Sequence, residues 1–203
     1  MKYGFIYSFF NFFIELFKYL NLVELFKYIG RKIARKNKNA ENIKTYLRIS
    51  VDIFIILKWI LILSFIYSGS SSLFTKYTTW YLIITNVYTY FYYHVWDESA
   101  IKSLDEDVHS LRRKFINLIL AISFSNIAFA YLYYASYNVE FKWDNSLQSF
   151  TQAFEYSLSN SISGNDTSVT PISELGNSIS LIQLMISFVF ITIVISRSIP
   201  QKT

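Results

Sequence analysis

The residues best equipped for chemistry lie in one polar stretch, Ser163-Gly164-Asn165-Asp166-Thr167. Asp166 brings a full negative charge to it. Glu155 and Glu174 would add negative field nearby. From Val139 to Gly176 there are five acidic residues against Lys142 alone, a balance that favours cations. An ordinary acidic surface loop would carry the same charges.

Little else in the chain competes with that stretch. No nucleophile is spaced with a base, no glycine loop is built for phosphate, and His94 and His109 form no pair at metal-ligand spacing. Neither catalysis nor a metal or other cofactor is expected. The absence of Cys excludes disulfides and thiolate sites. Lys58 stands inside an apolar run, where a charge is costly and is either paired or functional. Asp52 is six residues away and off its helical face. Lys58 therefore either tunes a gate or reaches a polar cleft supplied by another helix or subunit.

The elements that must position these groups are membrane helices. Of 203 residues, 53% are hydrophobic and 20% aromatic, and mean hydropathy is +0.29. A soluble domain of this size could not bury that much apolar surface. Three runs, about Ile49–Tyr67, Arg113–Tyr134 and Ser178–Ser196, match the roughly 20 apolar residues of a helical span. A fourth, Leu73–His94, is rich in Tyr and Thr and is read as a span that needs neighbours to take up its polar atoms. Ten of the nineteen Lys and Arg residues precede Ile49, and four more lie between the second and third spans. The positive-inside rule then sets both termini in the cytoplasm, and the loop from Trp143 to Gly176 outside. A bacterial inner or plasma membrane fits this layout.

The loop has an internal order. Asp144, Asn145 or Ser146 can cap a helix, and Leu147, Phe150, Phe154 and Leu158 recur at helical spacing. A polar segment and Thr170-Pro171 follow, before the last span. Irregular backbone at membrane depth must be buried in protein or line water, which a re-entrant loop satisfies.

In this order of WD at 143–144, FEYSLSNSIS at 154–163, VTP at 169–171, ELG at 174–176 and LIQLMISFVFITIVISR, residues 113–198 resemble the pore module of the potassium-channel superfamily. The resemblance implies an outer helix, a pore helix at about 146–159, a filter-like loop at about 160–171 and an inner helix at about 178–197. It departs at the filter, where SGNDT stands in place of TVGYG. One glycine, with Asn165 and Asp166 able to take positive φ, does not supply the alternating glycines of a stacked potassium filter. In the filter's place the resemblance implies a ring of Asp166 carboxylates around a four-fold axis.

Before the spans, ELFKY occurs twice, at 15–19 and 24–28. Glu15, Lys18, Glu24 and Lys27 are too many charges for an easy span. A break near Asn21 would let two short helices lie on the membrane, followed by a basic strip, Arg31, Lys32, Arg35, Lys36 and Lys38, set against anionic lipid headgroups rather than nucleic acid. Residues 1–44 thus form an interfacial unit, 45–96 a peripheral two-helix unit, 97–112 a cytosolic linker and 113–203 the pore-like module. In the linker Asp105, Glu106 and Asp107, with Arg112 and Arg113 at its end, offer a mixed-charge docking surface for a cytosolic partner.

The expected fold is thus an all-α integral membrane protein of four transmembrane helices. A pore helix and re-entrant loop lie between the last two, and interfacial helices precede them all. One pore loop per chain implies a homotetramer, and the expected function is cation conduction without potassium selectivity. The alternative is a non-conducting sensor or anchor that recruits or regulates a cytosolic effector. Small four-span membrane subunits of bacterial phage-defence systems, such as that of Kiwa, are similar in size and layout.

Overall fold

A computed structural model describes residues 4–36, 43–97, 108–144, 148–164 and 166–198. Among these the helices are α1 (Phe5–Tyr19), α2 (Leu22–Lys36), α3 (Ile43–Ser68), α4 (Leu73–Phe91), α5 (Val108–Tyr131), α6 (Phe150–Ser161) and α7 (Glu174–Ser198). Two short strands, β1 (Phe141–Trp143) and β2 (Val169–Pro171), flank α6. Three helical stretches, Ile43–Ser68, Arg112–Ser136 and Glu174–Val194, are long and apolar enough to cross a membrane. Residues Met1–Leu61 and Ile62–Thr203 form two compact units.

In the first unit the chain breaks at Leu20-Asn21, between α1 and α2, as the charge pattern suggested. Asn21 starts α2 by accepting a hydrogen bond from Val23 N–H at 3.1 Å, an N-cap that satisfies one orphan donor. Val23, Gly30 and Ala34 are buried along one face of α2. Gly30 lets two helix backbones approach, since a Cβ there would come within 2.3 Å of Ser50 Oγ and 3.1 Å of the Tyr46 carbonyl.

In the second unit α4 takes a different route from the three apolar helices. Its hydroxyls fold back on its own backbone: Thr79, Thr85 and Thr89 donate to carbonyls one turn earlier at 2.6–2.8 Å. Its longer polar groups cross to α5, with Asn86 donating to the Ala121 carbonyl at 2.9 Å and Tyr90 to the Asn117 carbonyl at 2.6 Å. Those bonds are the neighbours that its Tyr- and Thr-rich sequence called for. A small apolar cluster of Tyr90, Ala121, Phe190 and Ile193 joins α4, α5 and α7.

The ends of α5 and α7 are tied by a two-stranded staple. α5 finishes in a wide π turn, Leu132–Ser136, and the chain reaches β1. β1 pairs antiparallel with β2 in the register Phe141–Pro171, Lys142–Thr170 and Trp143–Val169. Glu140 anchors the same corner: its carboxylate accepts from Ser173 Oγ, which in turn accepts from Gly176 N–H at 3.0 Å to cap α7. Gly176 is buried hard against this corner. A Cβ there would lie 2.6 Å from the Glu140 carbonyl, a backbone atom that cannot swing aside. Gly176→Ala is expected to lower stability by about 1–3 kcal/mol through overpacking, read as a fall in Tm of the detergent-solubilised protein.

Candidate functional site

The loop between α5 and α7 is a staple, a helix and a return. α6 begins later than the Asp144–Ser146 capping signals suggested. Its N-cap is Ser149, whose hydroxyl accepts from Gln152 N–H at 3.2 Å. Residues 145–147 lie outside the described residues. Ala153, Tyr156 and Ser157 form its buried stripe, at helical spacing. Two of these are small, so α6 seats closely between α5 and α7.

What holds α6 there is a polar network centred on Gln183, which is 1% exposed inside an apolar helix. Its amide nitrogen donates to Ser157 Oγ at 2.6 Å and to the Ser157 carbonyl at 2.8 Å, with Asn126 Oδ1 at 3.3 Å. Its carbonyl oxygen accepts from Tyr133 OH at 2.7 Å and Asn160 Nδ2 at 2.9 Å. Ser157 Oγ in turn donates a hydrogen bond to the Asn126 backbone carbonyl at 2.8 Å. Asn160 also reaches the Ser180 carbonyl at 2.9 Å, and the Tyr156 and Ser180 hydroxyls meet at 2.9 Å. Both ends of the Gln183 amide thus have partners, the condition under which a buried polar group stabilises rather than costs.

The network sets the depth of α6. At about 1.5 Å per residue, Gln183 lies roughly 13 Å along α7 from Glu174, and Asn126 roughly 15 Å back from the end of the α5 stretch. The staple ties these two helix ends together. The C-terminal turn of α6 is therefore level with the middle of both long helices.

Past that turn the helix closes in a hydrogen-bonded cap. Ser163 takes the left-handed conformation, φ 58°. Its N–H bonds the Asn160 carbonyl at 3.1 Å, and Gly164 N–H bonds the Ser159 carbonyl at 2.7 Å. This is a Schellman cap with a serine where glycine is usual. Gly164 is needed for contact rather than for φ, because a Cβ would meet the Ser159 carbonyl at 3.0 Å and Ser159 Oγ at 2.4 Å. Asp166 Oδ1 accepts from Ser168 N–H at 2.8 Å, an Asx turn that leads into β2.

The sequence-derived residues are distributed as follows. Ser163, Gly164 and Thr167 are exposed and Asp166 half-buried on the return loop, whereas Asn165 lies outside the described residues. Glu155 and Glu174 are exposed on separate elements, α6 and the first turn of α7. Lys58 is 5% exposed on α3. Arg31, Lys32, Arg35 and Lys36 are exposed along α2, and Lys38 lies outside the described residues. So do Asp105, Glu106 and Asp107, while Arg112 is exposed and Arg113 half-buried in α5, which begins inside the expected linker. Among the described residues no group of three His, Asp or Glu could hold a metal ion. His94 stacks on Tyr90 at 5.5 Å.

Asn126, Ser157, Asn160 and Gln183 were missed by a reading that looked only for charges inside the spans. The available signal was two uncharged amides, Asn126 and Gln183, in the middle of otherwise apolar runs. No protein-family model, curated protein or solved structure matches this chain. The network stands on its own geometry. Gln183→Leu is expected to destabilise the protein by about 3 kcal/mol, because it strands several buried polar groups at once. Adding Ser157→Ala should cost much less than it does alone, a non-additivity readable from Tm in a double-mutant cycle.

Proposed function

We propose that this chain is the subunit of a homotetrameric, channel-like membrane protein that passes cations without selecting potassium. The observation that supports it best is the placement of α6: a half-length helix entering and leaving at the staple end, with its C-terminus level with mid-span. The C-terminal end of a helix carries about half a negative charge, so four such ends facing an axis would favour a cation. Asp166 and the acidic excess of the loop act in the same sense. The lack of potassium selectivity follows from the Schellman cap, which uses Ser163 and Gly164 to end a helix rather than to stack carbonyls. In this reading α4 is a fourth span shielded by its internal hydrogen bonds. Both termini face the cytoplasm of a bacterial inner or plasma membrane, with anionic lipid at Arg31, Lys32, Arg35 and Lys36.

A second reading, a non-conducting sensor or anchor for a cytosolic effector, as in bacterial phage defence, is favoured by one feature. The Asp166 carboxylate already has a partner within its own chain, in the Ser168 N–H. Purified protein in liposomes separates the two. Conduction predicts a cation flux that Asp166→Asn reduces or reselects, from a particle of four subunits by native mass spectrometry. A tetramer with no flux, co-purifying with a soluble protein, would select the second reading, and a monomer would contradict both.

A further inference from the structure

The first unit carries apolar surface that an interfacial reading does not account for. α2 runs antiparallel along the membrane-crossing part of α3. The Phe26 and Phe54 rings meet at 5.4 Å, tilted by 58°, and one turn on, Gly30 rests on Tyr46 and Ser50. Four residues along α2 thus match four along α3. Carried back one turn, this register sets Leu22 and its cap Asn21 level with Lys58, the midpoint of the expected first span. Asn21 and Lys58 are only 3% and 5% exposed.

The distance along α2 agrees with a leaflet. From Asn21 to Arg31 the helix rises about 15 Å, half the roughly 30 Å of a hydrocarbon core. Its exposed side chains change character over that distance. Leu22, Leu25, Tyr28 and Ile29 come first, then Arg31, Lys32, Arg35 and Lys36. Within the apolar part the charges are matched, Glu24 with Lys27 at 3.2 Å and with Arg31 at 3.9 Å. α1 departs from the level of Asn21 and has no buried side chain. Its less exposed face is Asn11, Ile14, Glu15 and Lys18, whereas Phe5, Phe9, Phe10, Phe12, Phe13 and Phe17 are exposed. That is the reverse of a helix meeting water.

We propose that α1 and α2 are a wedge inserted through the leaflet on the basic side as far as the bilayer midplane. The acyl chains of that leaflet cover the exposed aromatics, and anionic headgroups meet the four basic residues at the wide end. The inference needs α3 to cross a membrane and is independent of conduction. The native chain has no Cys, so single cysteines at Tyr19, Leu20 and Ile33, all exposed, can carry a fluorophore. The labelled protein is placed in phosphatidylcholine–phosphatidylglycerol vesicles with a spin label either on the headgroup or near the acyl-chain end. The wedge predicts that the deep label quenches Tyr19→Cys and Leu20→Cys more strongly, and the headgroup label Ile33→Cys. Strongest quenching of all three by the headgroup label would mean helices lying flat and would overturn the proposal. Quenching of Tyr19→Cys and Leu20→Cys by neither label would mean that protein, such as a second copy, covers the surface, and would also overturn it.

Discussion

The second unit depends on one side chain, the Gln183 amide, satisfied at both ends in the middle of an apolar helix. In hydrocarbon an amide cannot turn to water, so its partners must come from the protein. Here they come from α5 and α6 together: Asn126 and Tyr133 from the region of α5, Ser157 and Asn160 from α6. Because the partners are spread over separate elements, α6 cannot slide or rotate without breaking several bonds at once. The staple fixes the end at which α6 begins and Gln183 the end at which it stops. The loop between α6 and β2 inherits its position from those two constraints.

This arrangement explains why the loop conformation differs from the one its frame suggests. A helix stopped level with the middle of α5 and α7 leaves its last carbonyls unpaired, and the chain must end it tightly. The Schellman turn at Ser163 and Gly164 does so, and the Asx turn at Asp166 redirects the backbone toward β2. Both are local hydrogen-bonded devices that need no second subunit.

Much of the frame was legible in the sequence. Apolar run length gave the three long helices, and the ELFKY repeat with Asn21 gave the α1–α2 break, because both signals are local. The spacing of Phe150 and Phe154 gave the existence of α6, although Ser149 outcompeted the expected caps and moved its start. The staple was not legible, since FKW and VTP are too short to announce strands and pair only because α5 and α7 bring them together. Among the described residues of this loop positive φ falls on Ser163, because cap geometry overrides residue preference. The Gln183 network required knowing which faces meet. The register of α2 along α3 required the Gly30 contact, which charge counting alone could not supply.

The proposed function rests on the placement of the α6 tip at mid-span rather than in a surface loop. It is tested most directly by comparing single cysteines at Ile162 and Ile172, which are 76% and 63% exposed on the chain. Sealed vesicles would carry a charged, impermeant maleimide on both faces. The account predicts that Ile172→Cys is labelled at once, whereas Ile162→Cys, set in an apolar groove with Ile182, Met185 and Phe188, is labelled only after detergent. Equal labelling of both in intact vesicles would contradict it.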